Sequence, residues 1–195
     1  MTLRTGTLNY GAATFSYTAG GGNDLYYSGG DFACNGNFVA RGSIKATGDV
    51  TATRVFNAVW NDVADFQLLN DELIYGKCYI DTVEGARLCT ERCQLSVIGI
   101  ASDTFGMGVG EGNAGLEVPI AIGGWVLAYV DQEYPCGTPL TNDEHGNLTE
   151  MTLQEKRDFP ERLVAIYKKK EMKDTFGDGK TEIEVNGRHW VKVKS

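Results

Sequence analysis

Between Gly30 and Ala58 the chain repeats in sixes. Gly recurs at 36, 42 and 48, a larger apolar residue at Phe38, Ile44, Val50 and Phe56, and Ala at 40, 46, 52 and 58. Gly30, Phe32 and Cys34 fit the same frame one register earlier. All these positions are even-numbered, whereas the odd ones are mostly polar, among them Asn37, Arg41, Lys45, Asp49 and Thr53. Successive side chains of a strand point to opposite faces, so the pattern predicts strands with one small–large–small face and one wet face. A repeat at fixed period sets the architecture ahead of local signals.

Gly and Ala fill most of the inward positions, so another backbone must approach closely. A single-chain solenoid needs about three hexads per coil and several stacked coils, and this segment is too short for two. We therefore expect residues 30–58 to form a β-stem in which three chains intertwine, with Phe38, Ile44, Val50 and Phe56 filling the trimer axis layer by layer. A flat sheet or hairpin stack and a solenoid are the alternatives.

Residues 1–29 are less regular and read as an N-terminal attachment or tip region. Leu8-Asn9-Tyr10 and Ala13 to Tyr17 predict short strands, and Gly20-Gly21-Gly22-Asn23 a turn. Tyr10, Tyr17, Tyr26 and Tyr27 are candidates for a binding surface, against the simpler reading of cross-strand packing.

The hexad frame stops near Ala58, and residues 59–195 change pattern. Val97 to Ile100, Val118 to Ile122 and Trp125 to Val130 predict short strands. Glu182 to Val185 and His189 to Val193 alternate, and Asn186-Gly187 between them predicts a hairpin. Thr152-Leu153-Gln154-Glu155 has capping-box spacing and predicts one short helix ending before Pro160. The fold class is mainly β: a hexad-repeat stem followed by a compact β-domain with one short helix.

Composition narrows the function. The net charge of −8 argues against nucleic acid as a partner, which usually requires a basic patch. The basic runs Lys168 to Lys170 and Lys192 to Lys194 read as solvated faces among acidic residues. No apolar run reaches the roughly 20 residues of a membrane span, so no membrane insertion is expected. Met1 to Gly6 shows no apolar signal core, so the protein is expected to mature where it is made or to leave by cell lysis. Five cysteines, Cys34, Cys78, Cys89, Cys93 and Cys136, are odd in number and irregularly spaced. They predict free thiols, since the Cys89/Cys93 pair has no second pair to complete a zinc site. Asp174 to Asp178 lacks the ligand spacing of a calcium loop.

No enzyme motif stands out. There is no G-x-S-x-G, and Gly106 to Gly110 lacks phosphate-loop spacing and a following Lys. The Gly108 to Gly115 stretch reads as a surface loop. No catalytic residue, metal or cofactor is expected, with one reservation at the junction. There Asn57, Asn61 and Asp62 are candidates for self-cleavage, because strained Asn and Asp side chains can attack or polarise backbone. The plainer reading makes Asn61-Asp62 a turn.

Several phrases resemble a known family. Trp60 to Asp65, Ile98 to Gly106, Val118 to Ala121 with Gly124 to Tyr129, Gly146 to Thr152 with Phe159 to Arg162, and Val185 to Val193 resemble, in the same order, the C-terminal domains of bacteriophage fibre and appendage proteins. These are similar to the intramolecular-chaperone, peptidase G2-like domains. The chain departs from them at Trp125, where the family has Arg, and in its extended glycine-rich loop. The resemblance implies a virion structural protein, assembled in the bacterial host cytoplasm, as a homotrimeric head or tail fibre or appendage. Its C-terminal domain would trimerise and register the stem, and its partners would be other virion proteins such as capsid, portal or tail. Two alternatives stand beside it: an autoproteolytic chaperone domain cleaving near residues 57–62, and a receptor-binding module for a host surface glycan.

Overall fold

The computed structural model describes residues 8–10, 13–17, 25–28, 44, 60–110, 112 and 115–194. The chain divides into two compact units, Met1–Thr53 and Arg54–Ser195.

In the first unit, β1 (Leu8–Tyr10), β2 (Ala13–Tyr17) and β3 (Leu25–Ser28) form an antiparallel sheet in that order. The register pairs Phe15 with Tyr27, Tyr17 with Leu25, Tyr10 with Ala13 and Ser16 with Tyr26. Of the expected axis residues, Phe38, Val50 and Phe56 lie outside the described residues. Ile44 is 71% exposed in the single chain.

The second unit is mainly β. Its strands are β4 (Asp62–Leu68), β5 (Cys78–Ile80), β6 (Arg87–Leu88), β7 (Val97–Ala101), β8 (Phe105–Val109), β9 (Glu117–Ala128), β10 (Pro139–Asn142), β11 (Leu148–Glu150), β12 (Ala165–Lys170), β13 (Thr175–Gly177), β14 (Glu182–Glu184) and β15 (His189–Val193). Ten of them make one sheet, with the path β11-β10-β12-β15-β9-β7-β5-β6; β4 pairs antiparallel with β9 and parallel with β8. The sheet curls, because Val130, just past β9, bridges Leu148 of β11 at the far end of that path.

Neighbouring residues on these strands go to opposite faces, and both faces are covered. Cys78, Ile100, Val126, Leu148, Tyr167 and Val191 lie in the main core. Their neighbours Tyr79 and Ala101 pack with Val118 and Ile120 in a second cluster, while Leu127 and Trp190 pack with Val185 in a third. The buried Tyr79 hydroxyl is satisfied locally: it donates to the Glu72 carbonyl at 2.7 Å and accepts from Ile74 N–H at 2.8 Å.

The helix forms where the capping box predicts it. It spans Leu153–Asp158, with Thr152 accepting from Glu155 N–H and the Glu155 carboxylate accepting from Thr152 N–H. Arg92 then grips the same carboxylate with two nitrogens, at 2.8 and 3.0 Å, tying the helix to the loop after β6.

Three sequence expectations need correction. The two strands expected at 118–122 and 125–130 are one strand, β9, which Gly123 and Gly124 bend without ending; the register against β4 shifts at Val63/Ala64. Asn186-Gly187 does make the turn, with φ of 52° and 74° and Arg188 N–H bonded to the Val185 carbonyl. Its two arms do not pair as a hairpin. Both edges of β15 are taken by β12 and β9, so β14 pairs with β13 instead. The glycine-rich loop expected from Gly108 also starts later, since β8 continues through Val109 beside β4.

The bend in β9 depends on Gly124. Its φ is +103°, and a Cβ there would lie 2.3 Å from the Asn61 carbonyl oxygen and 2.7 Å from Asp62 Cα. Gly124→Ala should lower unfolding stability by about 2–3 kcal/mol, from the left-handed backbone and the clash together, as read from urea melts. A loss under about 0.5 kcal/mol would mean that the strand crossing tolerates a side chain.

Candidate functional site

The sequence candidates near the junction lead to a buried polar cluster. Asn57 lies outside the described residues. Asn61 is exposed, and Asp62, the first residue of β4, is 3% exposed. The expected turn at Asn61-Asp62 is absent. Asn61 N–H donates to the Thr104 carbonyl and its carbonyl accepts from Trp125 N–H, both at 3.2 Å. The backbone therefore enters β4 already paired on both sides.

Inside, Asp62 meets the tight connection between β7 and β8, Ser102-Asp103-Thr104. Thr104 Oγ1 donates to Asp62 Oδ1 at 2.8 Å. Ser102 Oγ accepts from Thr104 N–H at 2.9 Å and lies 3.1 Å from Thr104 Oγ1. With Thr104 donating to the carboxylate, the Ser102 hydroxyl is free to donate to Thr104, so the three side chains form a relay. Ser102 and Thr104 are fully buried. Asp62 Oδ2 is also buried and has no hydrogen-bond partner among the described residues.

Burial pushes the Asp62 carboxyl up to about 6; the Ser102 and Thr104 hydroxyls oppose this, and the neighbouring Asp103 charge adds to it. Asp103 itself points the other way, into a two-pronged ion pair with Arg188 at 2.7 and 2.9 Å. The connection that holds Asp62 is thus clamped to the turn before β15.

This arrangement can store a proton and lock strands together. It cannot receive a substrate from solvent, because both hydroxyls are buried. The histidines are elsewhere: His145 is exposed, and the buried His189 ring sits 2.9 Å from the Tyr167 hydroxyl. Burial, and then the Lys170 charge, hold His189 below its ordinary value. Cys78, Cys89 and Cys93 are buried and Cys136 is exposed, all four as free thiols. Burial raises Cys78 well above an ordinary thiol and Cys89 to about 12, so neither is a ready nucleophile.

Sequence reading singled out Asp62 but missed Ser102, Thr104 and Arg188 as its surroundings. The available signal was the Ser-Asp-Thr spacing, in which a hydroxyl two residues before an N–H can cap it.

Because the folded state binds a proton on Asp62 more tightly than the unfolded chain does, this group stabilises the fold below about pH 4. That stability is lost as pH rises through about 6, by about 2–3 kcal/mol in all. Asp62→Asn cannot titrate, so its stability relative to the parent should climb by that amount between pH 4 and pH 8 in urea melts. A difference independent of pH would show that Asp62 titrates like an exposed carboxyl.

No protein-family model matches this chain, and no curated protein or solved structure matches it either.

Proposed function

We propose that this chain is a structural protein of a bacteriophage virion, one subunit of a homotrimeric head or tail fibre or appendage. The C-terminal unit trimerises and holds three stems in register, with other virion proteins as further partners. The observation that carries this reading is the contrast between the two parts of the chain. The hexad face at 30–58 is built from small residues that one chain cannot bury against itself, whereas β4 to β15 bury three apolar clusters within one chain.

Two features of the second unit support it. Among the described residues β8 pairs only with β4, which leaves a strand edge free. On that edge strand Met107 and Val109 are each 50% exposed, and clustered exposed apolar side chains mark interaction surfaces. The bacteriophage assignment rests on the ordered phrases from Trp60 to Val193.

A second reading is an intramolecular chaperone that cleaves its own chain near residues 57–62. The buried Asp62 carboxyl beside the junction favours it. The two readings separate by denatured mass: an intact 21.2 kDa chain fits the fibre subunit, and fragments ending near residue 60 fit the self-cleaving chaperone.

Light scattering of the purified chain should give three times the 21.2 kDa chain mass. Ile44→Asp should shift it to monomer, because three carboxylates would meet in one apolar layer, where charge burial is costly. A stable monomer for the unaltered chain would overturn the proposal.

A further inference from the structure

The outer face of the second unit carries a cleft of about 500 Å³ beside Trp125. Its construction begins with a β-bulge. The register of β12 against β15 slips between Tyr167 and Lys169, and a bulge re-aims the extra side chain. Lys168 is that residue, and its ammonium sits 3.9 Å from the Trp125 ring centre. Lys192, the cross-strand partner of Trp125, places a second ammonium 5.5 Å away. The basic run at 168–170, expected to be a solvated face, thus has one member docked on an aromatic ring.

The other wall is aromatic. Phe176 packs edge-on against Trp60 at 5.6 Å and against Trp190 at 4.9 Å. Glu171 fixes Trp190 by accepting from its Nε1 at 2.6 Å, and its other oxygen accepts from Met172 N–H and Lys173 N–H. A carboxylate offers about four acceptor positions, and three of those on Glu171 are taken. Lys168, Lys169 and Lys173 all line it, and none of them makes a salt bridge among the described residues. This is a locally cationic spot on a chain of net charge −8.

Cations fit an acid group. Aromatic walls fit a flat or C–H-rich ring, and clefts of this kind pair apolar walls with a few placed polar groups. The remaining acceptor on Glu171 and the Asn61 side chain at the rim suit hydroxyl donors, while Glu171 would repel a second carboxylate at that point. From these observations we infer that the cleft beside Trp125 binds an anionic saccharide, with the acid group at Lys168 and Lys173 and the sugar ring along Phe176 and Trp125.

The test is calorimetric titration of the full chain at low salt with four probes: tetragalacturonic acid, maltotetraose phosphate, maltotetraose and tetraglutamate. At least one of the two acidic saccharides should bind about tenfold tighter than both the neutral sugar and the acidic peptide, and whichever binds identifies the acid as carboxylate or phosphate. Lys168→Gln and Lys173→Gln, at positions outside the core, should each weaken that binding about fivefold to tenfold. Lys180→Gln, outside the cleft, should leave it unchanged. Trp125→Ala should weaken it similarly, and the lysine variants decide the matter if that variant does not fold. The inference is overturned if neither acidic saccharide binds, if tetraglutamate binds as tightly, or if both lysine variants keep full affinity.

Discussion

A guanidinium that water cannot reach must have its charge and its donors answered by the protein. Arg188 is in that position, at 3% exposure. Two of its nitrogens grip Asp103, its Nε donates to the Val185 carbonyl, and it donates again to the Glu184 carbonyl. Removing one partner of such a buried pair typically costs about 3–5 kcal/mol, because the other charge is left stranded. The pair joins positions 85 residues apart: the turn leading into β15 and the connection between β7 and β8.

What that connection holds explains why the pair matters. Ser102 N–H bonds to the Pro119 carbonyl of β9, and Thr104 takes both the backbone of Asn61 and the side chain of Asp62. The first residues of β4 are therefore oriented by a contact that reaches to residue 188. From there β4 runs along β9 for seven residues, Asp62 against Gly124 through Leu68 against Glu117. The start of β4 is thus fixed by the interior of the second unit. The Asp62 carboxyl, raised to about 6, sits at the same point, so the start of β4 is also sensitive to pH.

How much of this was legible in the sequence depended on the range of the interaction. The helix start was legible to the residue, since the capping box is a contact between Thr152 and Glu155, three positions apart. The Asn186-Gly187 turn was legible for the same reason, but the partners of its arms were not. Whether β14 joins β15 or β13 is settled by β9 and β12 occupying both edges of β15, which no local pattern encodes. Gly123-Gly124 looked like a break between strands because glycine usually punctuates; here it bends one strand around Asn61 and Asp62. Asp62 stood out through its place at the junction, whereas Arg188 and the hydroxyls that surround it come from distant segments. Lys168 read as a surface charge because a bulge, and with it the placement of that ammonium over Trp125, depends on pairing across the sheet.

Residues 59–195 bury three apolar clusters within one chain, whereas the hexad segment at 30–58 offers mostly Gly and Ala at its inward positions. Ordering a chain costs roughly 1–2 kcal/mol of backbone entropy per residue, and Gly and Ala side chains return little of it unless several chains assemble. The most direct measurement expresses residues 59–195 and residues 1–58 separately and follows each by circular dichroism on heating at low concentration. A cooperative melt is expected for 59–195, with near-ultraviolet signal from Trp125 and Trp190, and none for 1–58. A cooperative transition in isolated 1–58, or its absence in 59–195, would contradict the proposal.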